Sequence, residues 1–419
     1  MARRAALPLF ALLLAGLCRA APVDPIAAAA TPVRIAATAD DDFADLAPFG
    51  AAVGTAHIVA LDEQTHGGRE EFVLKTRLLR YLHERLGFDM LVLESGFFDV
   101  GFVQRHAAAD SLIADLAPGN IFFMYSKSVE GRAMLQYVDA TRKTAHPLTL
   151  VGMDSQHTGL ASQHALARNL DRFLVLQRPR ELIDDHPSPA SERADAEDFR
   201  TTVAAMLALR QEPPPAAQLA GFERESARIL RELAKVPDVH PGVESAGWWT
   251  RVVVDLQAQA QQMWVAPRGN ARDQAMGDNV VWIAEHLASG KRLVVWGHAI
   301  HLMHDAPDAA APPFAGTVIR RKFGADYHVA HLTGLAGRYL DYATLQPAAI
   351  PAAPAASLEA RLAQRAGDAL YLAPTTSPPS DAPPARYIDY QPFGPLPGRG
   401  LHWESTFFIR QLTPVTMVR

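Results

Sequence analysis

The side chains in this chain best suited to chemistry stand where apolar runs stop. HIVAL (57–61) leads into Asp62, Glu63 and His66, LVL (91–93) stops at Glu94, and LTLVGM (148–153) stops at Asp154. RLVVWG (292–297) stops at His298, with His301 three residues later. Short apolar runs of this kind read as buried parallel strands. In open α/β sheets, ligands bind outside the carboxyl ends of such strands. Four polar strand ends on one rim of one sheet would form an active site.

Glu63 and His66 sit where a strand turns into a helix. In a tight turn the carboxylate reaches one imidazole nitrogen and leaves the other free as a base, the pairing that general-base catalysis needs. The plainer alternative is a capped loop with an exposed histidine. Glu94 follows a fully apolar strand, so it should be partly desolvated, which raises a carboxyl pKa unless a cation compensates. Lys75 on the first helix or Arg272 at the start of a later one could supply that cation, although Lys75 also reads as a solvated helix lysine. Arg272, Met276 and Asn279 share one helix face, which suits a binding edge or an ordinary amphipathic helix. His298, His301 and His304 recur at a spacing compatible with metal ligation, without the HExxH arrangement of zinc hydrolases.

Periodicity predicts the elements that hold these residues. Residues 57–94 form a βαβ unit whose helix runs from Arg69 to Arg85, with Leu78, Leu79, Leu82 and Leu86 on one face and Gly87 as C-cap. A crossover of this length makes the two strands parallel and brings Glu63, His66 and Glu94 to the same sheet edge. A helix near 128–143 precedes the run that ends at Asp154. From about 160 to 270 the pattern is helical and reads as a lobe inserted between strands, FERESARILRELAKV (222–236) being one clear segment. A helix from Arg272 to about Leu287 leads into the strand that ends at His298. DYHVAHLTG (326–334) and STFFIRQL (405–412) are further strands, and the Ala/Pro-rich stretch 347–386 reads mostly as surface loop. The predicted architecture is α/β. A central, mainly parallel β-sheet is flanked by helices, and the helical lobe forms a cleft at the carboxyl ends of the strands. This domain covers 45–415, after an N-terminal extension at 21–44.

The chain opens with Arg3 and Arg4, an apolar core from Leu7 to Leu17, and a small-residue site at Cys18-Arg19-Ala20. This reads as a secretory signal cleaved after Ala20, too short for a membrane span, and predicts a periplasmic or secreted protein. The alternative is a retained anchor. Cys18 is the only cysteine, so the mature chain would hold no disulfide, thiolate metal site or cysteine nucleophile. A net charge of -5 without a basic stripe argues against a nucleic-acid partner. There is no GxSxG elbow at Ser95, Ser155 or Ser245, no P-loop, and no GxGxxG after a strand. Chemistry therefore falls to histidine, carboxylates and water.

Together these segments resemble the erythromycin esterase family. Glu63-x-x-His66-Gly67, followed by a helix and a strand ending in Glu94, is similar to that family's E-x-x-H-G segment. Gly152-Met153-Asp154 resembles its G-x-D turn. Arg272-Asp273-x-x-Met276-x-x-Asn279 and Trp296-x-His298-x-x-His301 resemble its later helix and strand end. The resemblance covers about 45–415, more weakly in the helical lobe and the Ala/Pro-rich stretch. It implies an α/β sheet with helical lobes around a deep cleft. It also implies either hydrolysis of a macrolide lactone or other ester, with antibiotic resistance as one role that this would serve, or the unknown chemistry of the family's uncharacterised members. His66 would be the general base on water, with Glu63, Glu94, His298 and His301 as orienting and binding positions. Two departures stand out: Lys75 occupies a position where the family commonly has arginine, and resistance-conferring members are generally intracellular.

The leading expectation is an ester hydrolase without a cofactor, acting on a small-molecule ester or lactone. Its catalytic residues would be His66, Glu63, Glu94 and His298. Lys75, Asp154, Arg272, Asn279 and His301 would bind substrate, and Lys75, Arg272 or a protonated His298 would stabilise the oxyanion. A metallohydrolase built on His298, His301 and a carboxylate is the first alternative. A non-catalytic binding homologue, suggested by Lys75, is the second. Trp248, Trp249 and Trp264 could line an apolar cleft and are equally suited to the core.

Overall fold

Each of the four apolar runs that lead to Glu63, Glu94, Asp154 and His298 forms a strand of one sheet. The computed structural model describes residues 24–108, 110–177, 190–238, 242–304, 313–374, 383–386, 388–390 and 402–418. Among them the sheet has nine strands: β1 (Thr31–Val33), β2 (Ile58–Glu63), β3 (Met90–Gly96), β4 (Thr149–Asp154), β5 (Leu293–His298), β6 (Tyr327–Leu340), β7 (Pro347–Ala349), β8 (Ala369–Leu372) and β9 (Ser405–Leu412). Their spatial order is β1-β8-β9-β6-β2-β5-β3-β4, with β7 pairing β6. From β9 through β4 every neighbouring pair is parallel. At the other side β8 and β1 are added antiparallel.

These strands read as unbroken apolar runs because both faces of the sheet are covered. Ile58 and Ala60 of β2 belong to a core that includes Phe199, Phe222 and Trp249 of the helical lobe, whereas Val59 and Leu61 pack in a second core with Leu74, Leu78 and Leu82. Those leucines lie on α1 (Arg69–Leu86), which ends where Gly87 adopts φ 71° and Phe88 N–H donates to Leu82 O at 3.1 Å. A residue with a Cβ would be strained at that position. After β3 come α2 (Phe97–His106), the single turn α3 (Phe123–Ser126) and α4 (Val129–Thr141). The lobe comprises α5 (Ala167–Gln177), α6 (Ala190–Leu207), α7 (Ala216–Leu233) and α8 (Ala246–Ala260). The chain then returns through α9 (Ala271–Trp282) to β5, followed by the short α10 (Ala299–Leu302).

Three features of the arrangement go beyond the sequence reading. β2 and β3 are parallel but not neighbours, because β5 lies between them and pairs with both. Its register sets His298 directly beside Glu63. The described residues of 347–386 are mainly loop, as read, but the stretch also supplies β7, β8 and a helix at Leu358–Leu362. The N-terminal extension joins the sheet, since β1 pairs with β8 and closes that edge. The expected signal at 1–20 lies outside the described residues.

Candidate active site

The turn after β2 carries His66. Glu63 is fully buried, and its Oε1 accepts the Nδ1–H of His66 at 3.0 Å and the hydroxyl of Tyr125, on α3, also at 3.0 Å. Its other oxygen meets the ammonium of Lys75, which lies 4.2 Å from the centre of the Trp296 ring. Three donors thus hold one carboxylate, and the carboxylate holds the imidazole. With Nδ1 committed, the lone pair of His66 is on Nε2, which faces Glu94 Oε1 at 3.9 Å. That separation is too long for a hydrogen bond. Burial lowers the His66 pKa from 6.5 to about 3, so the ring is neutral in the resting protein.

Glu94 lies at the centre of the charged floor. Its Oε1 stands 3.3 Å from both Arg272 Nη2 and His301 Nε2, and its Oε2 accepts the backbone N–H of His298 at 2.6 Å. Burial opposes its charge, but His301 and Arg272 prevail and hold the carboxyl well below its usual range. Gly297 allows this approach, since a Cβ there would come within 3.0 Å of the Glu94 carboxylate. Arg272 also forks onto Asp154, Nε to Oδ1 at 3.0 Å and Nη2 to Oδ2 at 2.7 Å. His301 Nδ1–H donates to Asp273 at 2.7 Å. Burial alone would lower the His301 pKa, but Asp273 and Glu94 raise it to about 10, making it an imidazolium at neutral pH.

A cavity of about 410 Å³ opens at these strand ends. Its floor is charged, with Glu94, Asp154, Arg272 and His301, while Phe122 and Tyr342 bring aromatic rings to within 4.8 and 5.4 Å of the His66 ring. His298 stands across from His66, ring centres 5.2 Å apart, and its Nε2 is 3.2 Å from Asp389. A neutral base, a carboxylate, a guanidinium and an imidazolium therefore share one pocket. This set can activate water and stabilise a developing oxyanion.

The erythromycin esterase family model matches residues 83–391, well over half of the chain. The chain belongs to the erythromycin esterase family. Membership points to a hydrolase. Among curated relatives, Putative hydrolase YbfO of Bacillus subtilis (strain 168) is 25% identical over 260 residues, which covers 58% of this chain and only 56% of that protein. Erythromycin esterase type II of Escherichia coli is 22% identical over 324 residues, 71% of this chain and 74% of the relative. Among solved structures, a Bacillus cereus protein matches with TM-score 0.72 and 18% identity over 94% of this chain and 98% of its own. An erythromycin esterase mutant in its open conformation matches with TM-score 0.63 and 14% identity, over 93% of this chain and 99% of its own. At these identities the solved structures speak for the fold alone. The matched segment starts at His83, downstream of His66, so the base turn rests on its own geometry.

In this family member Glu63, His66, Glu94, Asp154, Arg272, His298 and His301 converge at one sheet edge, and two expected substrate-binding residues do not. Lys75 is fully buried behind Glu63 and does not line the cavity. It meets the carboxylate that holds His66. Asn279 is likewise buried, donating to Met153 O at 3.0 Å and to both oxygens of Asp255. Its helix face turns toward the lobe. The imidazolium of the site is His301 rather than His298, whose Nδ1 accepts the N–H of Ile300 at 3.2 Å and so carries no proton. His304 faces Glu404 at 2.9 Å, away from the cavity. Among the described residues no group of three or more His, Cys, Asp or Glu is placed to hold a metal ion. Trp248 and Trp249 are core residues, and half-buried Trp264 donates to Arg210 O.

Sequence reasoning missed Phe122, Tyr125, Tyr342, Asp273 and Asp389. Only Asp273 had a signal, as the neighbour of Arg272; the others sit on turns with no periodic pattern.

The buried acids and His301 give the protein a pH-dependent stability. Burial raises Glu71 from 4.5 to about 8 and Asp255 from 3.8 to about 8, and His301 reaches about 10. Each folded-state pKa lies above its unfolded value. The stabilisation from the retained proton is complete below the unfolded pKa and is lost as pH rises through the folded one. The melting temperature should therefore fall from about pH 7 to about pH 9, followed by circular dichroism in a buffer series. A melting temperature that rises across that range would contradict the assignment.

Proposed function

We propose that this chain hydrolyses carboxylic esters, lactones included, by direct attack of a water molecule that His66 deprotonates. The observation that carries the reading is the His66 ring, with Nδ1 committed to Glu63 and Nε2 open to the cavity opposite Glu94. A water between His66 Nε2 and Glu94 Oε1 would give its proton to Nε2 as its oxygen adds to the ester carbonyl. The new imidazolium lies between Glu63 and Glu94, whose charges stabilise it. Arg272 and the His301 imidazolium face the oxyanion, and one well-placed donor of this kind is worth roughly 3–4 kcal/mol. When the tetrahedral intermediate collapses, the carbon–oxygen bond to the alcohol breaks, and the proton on His66 passes to the departing alkoxide. No acyl-enzyme is required and no cofactor enters the scheme.

The relative named an erythromycin esterase makes macrolide lactones one substrate class to test, and with them a role in antibiotic resistance. The signal-like first 20 residues support an exported enzyme, which would meet its ester in the periplasm or outside the cell. The test is turnover of simple esters and macrocyclic lactones, erythromycin among them, by residues 21–419 with and without EDTA. Hydrolysis that persists in EDTA is expected. Hydrolysis lost to EDTA and restored by zinc or manganese would overturn the scheme in favour of a metal site, and the absence of all turnover would overturn it outright.

A further inference from the structure

Asp389 lines the cavity without belonging to any strand or helix, and its backbone is unusual. Asp389 and the next residue, Tyr390, both have positive φ, 45° and 51°. Two consecutive side-chain-bearing residues in the left-handed region persist only where their surroundings dictate it, and such strain gathers at functional sites. Here the surroundings are specific. The N–H of Asp389 donates to Gln64 O at 2.8 Å. Tyr390 is fully buried, and its hydroxyl donates to Glu71 Oε1 at 2.6 Å, an oxygen that also accepts the N–H of Gln64 at 3.2 Å. Gln64 lies two residues before His66. The clamp on Asp389 is thus built on the same turn that carries the base.

The clamped carboxylate stands 3.2 Å from His298 Nε2. Because His298 Nδ1 accepts the Ile300 N–H, the proton of the ring is on Nε2 and is donated to Asp389. Two imidazoles face each other with centres 5.2 Å apart. Of their four nitrogens, three are committed: His66 Nδ1 to Glu63, His298 Nδ1 to Ile300, and His298 Nε2 to Asp389. Only His66 Nε2 is left open. We propose that Asp389 is a positioning residue that draws the His298 N–H away from His66, so that a single nitrogen in the cavity can accept the proton of water. Without Asp389, the His298 N–H is released to turn toward the facing ring, 5.2 Å away centre to centre, where the lone pair of His66 Nε2 would accept it and the base would be blocked. The role rests on His66 acting as the base.

The test pairs kinetics with histidine nitrogen NMR on residues 21–419. Asp389→Ala should lower kcat by about tenfold or more with KM within about threefold, whereas Asp389→Asn, which keeps an acceptor oxygen, should recover most of the loss. Wild-type spectra should show His298 protonated at Nε2 and His66 Nε2 as a free lone pair. In Asp389→Ala that lone-pair signal should move to the position of a hydrogen-bonded acceptor. Wild-type kcat in Asp389→Ala, or His298 protonated at Nδ1 in the wild type, would overturn the proposal. The spectra need no turnover, so they decide the matter even if no ester proves to be a substrate.

Discussion

His66→Ala should lower kcat for ester hydrolysis by about 10²–10⁴-fold, the usual contribution of a positioned general base, and leave the fold in place. Removing the ring leaves Glu63 bonded to Tyr125 and in contact with Lys75, so no buried carboxylate loses all its partners. The loss should fall on kcat more than on KM, because proton transfer is felt in the transition state. The burial that lowers the pKa of His66 to about 3 keeps its base form available through mildly acidic pH. The profile of kcat/KM should accordingly show no inflection near 6.5. A variant that retains more than about a tenth of wild-type activity, or a profile that breaks at an ordinary histidine pKa, would move the base elsewhere.

Arg272→Met should cost both stability and activity. The side chain it removes forks onto Asp154 and touches Glu94, two carboxylates that are only 6% exposed. Both would face the cavity with one cation fewer between them. Breaking a buried pair by deleting one partner typically costs 3–5 kcal/mol, and the partly exposed guanidinium places the expected loss at about 3 kcal/mol, readable by urea unfolding. Activity should fall by roughly 10²–10³-fold as an oxyanion partner disappears. Arg272→Lys keeps the charge but not the planar fork, so it should be intermediate in both. A methionine variant as stable as wild type would mean that Asp154 and Glu94 find other partners.

What the sequence made legible was local. The run before Glu94, the leucine face of α1 and the stop at Gly87 depend on neighbours within one element, and all three appear in the structure as read. The shared rim could also be reasoned out, because parallel strands put their carboxyl ends together. The order of the strands could not: nothing between 57 and 94 announces that residues from 293 onward will fill the space between them. β1 and β8 are three and four residues long, too short for alternation to register, and β8 sits in a stretch whose proline content argues for loop. Asn279 shared the face of Arg272 by helical spacing, yet the buried Asp255 on α8 turned that end of the face inward. Tyr125 and Asp389 owe their roles wholly to tertiary contacts.

The placement of β5 has a consequence for how the chain becomes active. Both neighbours of β2 within the sheet, β5 and β6, follow the helical lobe in sequence. A chain that has emerged only as far as the lobe therefore carries its base turn on a strand with two open hydrogen-bonding edges, beside β3 with one. Such edges invite pairing with other chains, and pairings across this much sequence form slowly. A protein truncated within the lobe should aggregate rather than persist as an inert half-enzyme. The site therefore stays incomplete until the strand bearing His298 fills the gap between the strands that carry Glu63 and Glu94.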